Sequence, residues 1–430
     1  MHTQEKIGWK TAAAIVVASM IGTGVFTSLG FQLVATQNTW SIVLLWALGA
    51  VVAICGALSY AELGTHLTRS GGEYHFLTEM YNATIGYLSG WVSITVAFAG
   101  SVALAAMALG AYTSTYLGIP AKIIAISIVL LITFLHSINI KTSSQLQNWT
   151  TVLKLLLITG FIVAGLWMPV ETSSFNWSDS WKEEIWLPAF AVSFVYVTYS
   201  YTGWNTAAYI AEEIRDVQKN LPIALIIGTL VVSVFYILLN LVFLRQSPLD
   251  NLVGQVEVGQ VVATDMLGRN GARIISLTIG VMLVSTISAM IWVAPRVMQV
   301  MAEDHRIWHW LRMNPDGVIP KKALWSQAAI TLALILTGTF EQILIYSGFI
   351  LQLVSALAVG AVFILRKRGI KVENGFRSPF FPVPQILFLA LSVWVCSYLL
   401  FTQPIASGLG LLNLLVGWVT LAWSRMLERQ

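Results

Sequence analysis

A glycine-rich interruption lies in the middle of the first long apolar run of this chain. Apolar and small residues flank Ile21, Gly22, Thr23 and Gly24 on both sides. Each glycine costs roughly 1 kcal/mol against alanine inside a helix. At bilayer depth, unpaired backbone is tolerated only where it is buried in protein or lines a cavity. The pattern therefore predicts a helix that unwinds near the membrane midplane and turns backbone groups toward a small molecule.

The sixth apolar run has a matching interruption. Its polar cluster contains Tyr199, Ser200, Thr202 and Asn205, together with Gly203, the one glycine of that run. The two runs are five spans apart, so they enter the membrane from opposite sides. A pair of interrupted segments at corresponding positions in two halves indicates a transporter binding site, whereas a single interruption could equally serve helix packing.

The two interruptions together suit a zwitterion. Free N–H groups at residues 22–24 would begin the second half-helix, where the helix dipole favours a carboxylate. The first half-helix would end with free carbonyls at Met20 and Ile21, which suit an ammonium group. The sixth run adds carbonyls around Tyr199 and Ser200. This complementarity predicts an α-amino acid ligand, and it leaves other zwitterions and small amines open.

Lys154 is the one lysine or arginine placed deep within an apolar run. A charge near a helix centre costs roughly 2.5–3.5 kcal/mol on insertion scales, so it should face the helix bundle. We expect its ammonium to link the fifth span to the first half-helix and to the eighth span, where Thr278, Ser285 and Ser288 share a face. Snorkelling of the ammonium to the membrane surface is the alternative.

A polar stripe on the seventh run is a further candidate for gating. Ser233, Tyr236 and Asn240 lie at i, i+3 and i+7 and share one helix face. Interhelical packing is the favoured role for the stripe, with substrate gating as the alternative. Tyr236, Asn205, Lys154, Ser285 and Ser288 make up the predicted coupling and gating set.

The chain lacks the usual motifs of cofactor chemistry. It contains no H-E-x-x-H pair, P-loop or dinucleotide fingerprint, and no acid–histidine cluster lies within a span. We therefore expect no metal site, no cofactor and no enzymatic activity.

Composition sets the class of protein that must position these residues. The 430 residues are 57% hydrophobic and 10% charged, against about 25% charged in a typical soluble domain. Membrane-length apolar runs recur along the whole chain. An all-α membrane protein with about twelve transmembrane helices is predicted, at residues 10–34, 40–66, 81–116, 121–138, 146–168, 186–212, 221–244, 273–301, 323–338, 342–365, 383–401 and 406–426.

The runs divide into segments with a defined orientation. The two interruptions place a first five-helix repeat at residues 10–168 and a second, inverted repeat at 186–365, followed by two helices at 383–426. Most of the 24 lysine and arginine residues fall on the side of the N-terminus. This asymmetry predicts a cytoplasmic N-terminal segment, residues 1–9. The expected surroundings are a lipid bilayer in the cell membrane, and no nucleic acid partner is expected.

Four motifs resemble a known superfamily. They are S-M-I-G-T-G-V-F (19–26), S-Y-A-E-L-G-T-H-L-T-R-S-G-G-E-Y (59–74), Y-S-Y-T-G-W-N (199–205) and E-E-I-R-D-V-Q-K-N-L-P (212–222). The chain resembles the amino acid–polyamine–organocation superfamily and, within it, the L-amino acid transporter family. The resemblance extends over nearly the whole length.

The resemblance implies a fold and a transport mode. The fold is the five-plus-five inverted repeat (LeuT-type) with discontinuous helices 1 and 6, and the activity is exchange of amino acids by alternating access. Lys154 matches a family lysine, and it would occupy the place of the cation in sodium-coupled relatives. Thr202 replaces a glycine of relatives for large substrates, which implies small neutral L-amino acids (alanine, serine, cysteine, glycine and threonine). Tyr199 matches the aromatic residue that closes over substrate.

The resemblance also bears on partners and on the rival function. Residues 113–122 lack the cysteine through which animal members join a heavy chain, so no disulfide-linked partner is expected. A proton-coupled amino acid or polyamine permease of the same fold is the alternative. A polyamine site should have an acidic residue near an interruption, and neither interruption contains one.

Overall fold

The protein is described by a computed structural model that covers residues 6–138, 141–170, 175–312 and 320–428. Residues 1–5 of the predicted N-terminal segment therefore lie outside the described part. Every regular element within these ranges is helical, and the only bridge pairs Ile7 with Ile214. The α-helices are α1 (Trp9–Met20), α2 (Gly24–Gln32), α3 (Thr39–His66), α4 (Glu73–Met80), α5 (Ala83–Val92), α6 (Ala99–Leu117), α7 (Ala121–Ile138), α8 (Lys141–Trp167), α9 (Trp181–Glu184), α10 (Pro188–Ser200), α11 (Val217–Gln246), α12 (Leu249–Leu252), α13 (Val258–Asp304), α14 (Lys321–Thr337), α15 (Phe340–Lys367), α16 (Val383–Thr402) and α17 (Pro404–Glu428).

Within the described residues, nine helical segments are long and apolar enough to cross a membrane, and they identify a multi-pass membrane protein. The other three predicted runs correspond to shorter helices. The apolar part of α8 is Thr151–Trp167, α14 has 17 residues, and α10 has 13 because it ends at the interruption after Ser200.

Several stretches differ from simple membrane-spanning α-helices. The sixth run does not resume as an α-helix, because residues 201–205 form turns and Thr206–Glu213 is a 3₁₀ helix. A π-helical segment, Ser93–Phe98, joins α5 to α6. Such segments widen a helix locally and often occur at functional sites.

Two sets of helices surround Lys154. α1 and α3 each pack against α11, and α6, α7, α13 and α14 pack against one another. α8 contacts both α11 and α13, and its Lys154 side chain is 1% exposed. The lysine therefore faces the protein interior, as its apolar surroundings predicted, and does not snorkel to the surface.

The two interrupted segments run antiparallel to each other. Gly203 lies against Ser19, and Gly24 lies against Ser200. Farther along, the hydroxyl groups of Thr36 and Ser193 share a hydrogen bond of 3.2 Å. The partner numbers fall as the first segment advances, so the two segments run in opposite directions.

Candidate substrate site at the two helix interruptions

The first interruption leaves backbone donors available. α1 ends at Met20, Ile21 leaves the helical region (φ −72°, ψ 88°), and α2 begins at Gly24. Within the described residues, the N–H groups of Thr23 and Gly24 donate no hydrogen bond. They lie at the positive end of the α2 dipole, an arrangement that binds anions.

The second interruption is a tight turn stabilised by threonine. Gly203 has φ 105°, which favours glycine because an L side chain is strained there. The Thr202 N–H and hydroxyl both donate to the Tyr199 carbonyl, at 2.9 and 2.7 Å. The Thr206 hydroxyl donates to the Gly203 carbonyl at 2.7 Å. The turn therefore satisfies part of its own backbone and holds Thr202 in a fixed position.

Two glycines allow the interruptions to touch. A Cβ added to Gly24 would lie 2.5 Å from the Ser200 Cα, and one added to Gly203 would lie 2.7 Å from the Ser19 carbonyl carbon. Real Cβ contacts of this length essentially never occur. The backbone of one interruption therefore forms part of the wall of the other.

A cavity occupies the junction of the two interruptions. Its lining includes seven predicted site residues, Met20, Gly22, Thr23, Gly24, Tyr199, Ser200 and Thr202. Asn205 also lines the cavity, but Ile21 does not. The π-helical turn and α6 contribute Phe98 and Ser101, and α13 contributes Thr286.

The carbonyls at the end of α1 already have protein donors. The Tyr236 hydroxyl donates to the Met20 carbonyl at 2.5 Å, and the Lys154 ammonium donates to the Ile21 carbonyl at 3.0 Å. These are the two carbonyls that the sequence assigned to a substrate ammonium group. Ser19, which sequence reasoning missed, also lines the cavity, and its carbonyl lies against Gly203.

Lys154 links three elements at the interruption. Besides the Ile21 carbonyl, its ammonium donates to the Ala18 carbonyl at 3.3 Å and to the Thr286 Oγ1 at 2.7 Å. The link from α8 to α1 and α13 is as expected, but the oxygen that accepts on α13 is that of Thr286, which the sequence analysis did not name.

One of the predicted serines of α13 has a different partner. Ser288 shares a hydrogen bond of 2.9 Å with His136 Nε2 instead. Ser285 lies one residue before Thr286, and one residue turns a helix by about 100°. The hydroxyl of α13 that meets the lysine is that of Thr286, which lies beside the predicted face of Thr278, Ser285 and Ser288.

The three residues of the polar stripe on α11 make different contacts. The Ser233 hydroxyl donates to the Thr229 carbonyl and also lies near Tyr201, and the Asn240 amide donates to the Tyr236 carbonyl of its own helix. Tyr236 alone among the three reaches the first interruption. Its ring lies 5.1 Å from the ring of Tyr201 in the second interruption.

A buried carboxyl on the cavity wall is the main residue that sequence reasoning missed. Glu73, at the start of α4, is 3% exposed and lines the cavity. The Asn205 amide and the Ser355 hydroxyl each donate to its Oε1 at 3.2 Å. The Tyr60 hydroxyl donates to the same oxygen. The G-G-E-Y sequence at the end of the second motif contains Glu73. Because this motif is far along the chain from both interruptions, the sequence did not predict that Glu73 lies beside them.

Side chains that commonly bind metal ions are not grouped in the part of the chain that the structure describes. Among the described residues, no group of three or more histidine, cysteine, aspartate or glutamate side chains is placed to hold one. The polar lining consists of backbone groups, hydroxyls, one indole, one amide and one carboxyl. Such groups can bind a small zwitterion through hydrogen bonds.

Comparison with known proteins places the chain in a family. A family model described as amino acid permease matches residues 7–421. The serine/threonine exchanger SteT of Bacillus subtilis is 29% identical, over 97% of this chain and 97% of that protein. The human b(0,+)-type amino acid transporter 1 is 27% identical over 93% and 84%, and the human cystine/glutamate transporter is 23% identical over 97% and 84%.

These matches confirm the resemblance read from the four motifs. The relatives are L-amino acid transporters of the amino acid–polyamine–organocation superfamily, and they are not enzymes. An all-helical fold with two broken segments that meet at a polar cavity is consistent with that family. The chain belongs to the amino acid permease family and is an amino acid transporter.

Proposed function

We propose that this protein is a sodium-independent exchanger of small neutral L-amino acids that works by alternating access. The observation that carries the proposal is the Lys154 ammonium, which is bound by the Ala18 and Ile21 carbonyls and the Thr286 hydroxyl. The amino group of Lys154 occupies an oxygen cage at the end of α1. Its positive charge would remove the need for a sodium ion at the same oxygens.

The binding mode follows from the backbone groups left unpaired. The Thr23 and Gly24 N–H groups would receive the substrate carboxylate at the start of α2. The Ser19 carbonyl on the cavity wall would accept from the ammonium group, since the Met20 and Ile21 carbonyls already have donors. Tyr199 and Thr202 would then bound the space for the side chain.

The proposed topology has twelve transmembrane helices with a cytoplasmic N-terminus in the cell membrane. Residues 10–168 and 186–365 would form the two inverted repeats, and 383–426 would lie outside them. The antiparallel course of the two interrupted segments supports this division. Cys55 and Cys396 lie within α3 and α16, which supports function without a disulfide-linked heavy chain.

Vesicles containing the purified protein should take up labelled alanine only when their lumen holds unlabelled substrate. An exchanger returns to its outward-open state only with a substrate bound. Transport therefore stops when the vesicle lumen contains no substrate. Initial uptake is measured with and without sodium and with and without a proton gradient. Equal uptake into empty and loaded vesicles would reject exchange, and a requirement for sodium would reject the proposed role of Lys154.

Replacing Thr202 with glycine should admit larger neutral side chains. The change removes the branched side chain from the cavity wall together with its bond to the Tyr199 carbonyl. One or two carbon atoms of added room are worth about 1–3 kcal/mol of discrimination, or 10- to 200-fold. Competition against labelled alanine by leucine and phenylalanine measures the effect, with Thr264→Gly, an exposed threonine on α13, as the control. An unchanged competition profile would refute the pocket boundary.

A proton-coupled amino acid or polyamine permease is the second candidate. Glu73 favours it, because this carboxyl lines the cavity even though neither interruption contains an acid. The same vesicles distinguish the two candidates. Uphill alanine or polyamine uptake into empty vesicles under a proton gradient would support the permease.

A further inference from the structure

We infer that the Glu73 carboxyl is a proton-binding group on the cavity wall whose charge holds the second interruption against α3 and α15. The inference rests on the proposed function and adds that pH regulates exchange through the same site. Glu73 is a positioning residue here, since its bonds are to the protein and not to the substrate.

The Glu73 carboxyl accepts hydrogen bonds from three separate elements. Tyr60 comes from α3, Ser355 from α15, and Asn205 from the second interruption. Tyr209, in the 3₁₀ helix that follows, lies near the carboxyl and interacts with it electrostatically. One charged group therefore joins the broken segment to two unbroken helices.

The start of α4 is shaped to bring Glu73 to this position. Gly71 and Gly72 have φ 121° and 55°, values suited to glycine. A Cβ on Gly72 would lie 2.4 Å from the Tyr209 ring. The Gly71 N–H donates to the Tyr209 carbonyl at 3.3 Å. The double glycine thus fixes the carboxyl and the 3₁₀ helix side by side.

No cation balances this charge within the part of the chain described. The salt bridges found there join Arg69 to Asp304, Lys182 to Asp179, Arg296 to Glu213 and Arg366 to Glu62, and none includes Glu73. Burial raises the pKa of the Glu73 carboxyl, and the bonds from the surrounding hydroxyl and amide donors lower it less. The Glu73 carboxyl therefore takes up a proton at a higher pH than an ordinary glutamate, whose pKa is about 4.3.

Titratable neighbours are few and neutral. Tyr60 from α3 and Tyr209 from the 3₁₀ helix face the carboxyl, while Asn205 and Ser355 do not titrate. On α4 itself, the Tyr74 hydroxyl is directed to Asp304 at 2.8 Å. Protonation of Glu73 would turn one acceptor oxygen into a donor and weaken the bonds that hold Asn205. The second interruption would then be released from α3 and α15.

The sign of the pH effect follows from these bonds. Above the raised pKa, the carboxylate accepts all its donors and exchange is fast. As the pH falls through that value, exchange should slow by about tenfold, because a hydrogen bond to a charged group is worth about 1.5–3 kcal/mol. Glu73→Gln is neutral at every pH, so it should show the slow rate throughout.

The test is alanine counterflow in loaded vesicles, measured across pH for the unchanged protein, Glu73→Gln, Glu79→Gln and Ser355→Ala. Glu79 is exposed on the same helix, so Glu79→Gln should retain the original profile. Ser355→Ala removes one donor to the carboxylate and should move the midpoint to higher pH; this shift reports on Glu73 even if Glu73→Gln fails to fold.

Two results would overturn the inference. Superimposable pH profiles for the unchanged protein and Glu73→Gln would show that protonation of Glu73 does not control exchange. An unshifted midpoint in Ser355→Ala would show that the Ser355 hydroxyl does not stabilise the Glu73 carboxylate. Failure of the proposed function is distinguishable, since the unchanged protein would then exchange no alanine at any pH.

Discussion

Replacing Lys154 with alanine is expected to reduce alanine exchange at least tenfold while the protein stays folded. The change removes the ammonium from the Ala18 and Ile21 carbonyls and from the Thr286 hydroxyl. Each such bond to a charged group is worth about 1.5–3 kcal/mol. The end of α1 would lose its connection to α8 and α13, and with it the coupling of the first interruption to the rest of the helix bundle. Initial counterflow rates measure the loss, and gel filtration with thermal unfolding monitors the fold.

The controls separate the buried charge from lysine removal in general. Lys122→Ala removes an exposed lysine whose ammonium also contacts a carbonyl, that of Leu336 at 2.9 Å. This variant should exchange normally. Lys154→Met retains an unbranched side chain without the charge, so it should be as slow as Lys154→Ala. Normal turnover of either Lys154 variant would contradict the role of the charge.

Replacing Gly203 with alanine is expected to abolish exchange and lower the thermal stability. The new Cβ would lie 2.7 Å from the Ser19 carbonyl carbon and 2.9 Å from the Met20 nitrogen, at a residue with φ 105°. Both neighbours are backbone atoms, so no side chain can rotate to make room. A left-handed conformation costs an L residue roughly 1–2 kcal/mol, and overpacking adds about 1–3 kcal/mol. The two interruptions would separate, and the cavity between them would change shape.

Gly160→Ala is the matched control for this change. Gly160 lies in α8, and a Cβ there meets no atom within 4 Å. Alanine also favours the helix by about 0.5–1 kcal/mol over glycine. Exchange and stability should therefore be retained or slightly improved. Counterflow by Gly203→Ala at the rate of Gly160→Ala would refute the close contact of the interruptions.

The sequence alone was informative wherever the signal is local. Apolar length predicted the membrane-spanning helices, because the bilayer core has a defined thickness. Glycines beside polar residues predicted interruptions at Ile21–Gly24 and Ser200–Gly203, and both α1 and α10 end there. The cost of burying an unpaired charge predicted that Lys154 faces inward, where three oxygens accept from it.

Partners that come from distant elements were beyond sequence reasoning. A rotation of about 100° separates Ser285 from Thr286, and hydropathy does not determine how far α13 is turned toward α8. Local pattern also assigned the Met20 and Ile21 carbonyls to a ligand, whereas Tyr236 and Lys154 bind them.

Glu73 shows the same limit most clearly. It follows a double glycine in a connection between helices, where a carboxylate is ordinarily solvated. Only the packing of α4 against α15, together with its contacts to α3 and to the second interruption, buries it beside Asn205. The sequence by itself determined an all-helical membrane transporter with two broken helices and a buried lysine, because these follow from burial costs along one helix. The tertiary structure alone decided which side chains donate to which backbone oxygens and that a carboxyl forms part of the cavity wall. Both depend on how separate helices are rotated and packed against one another.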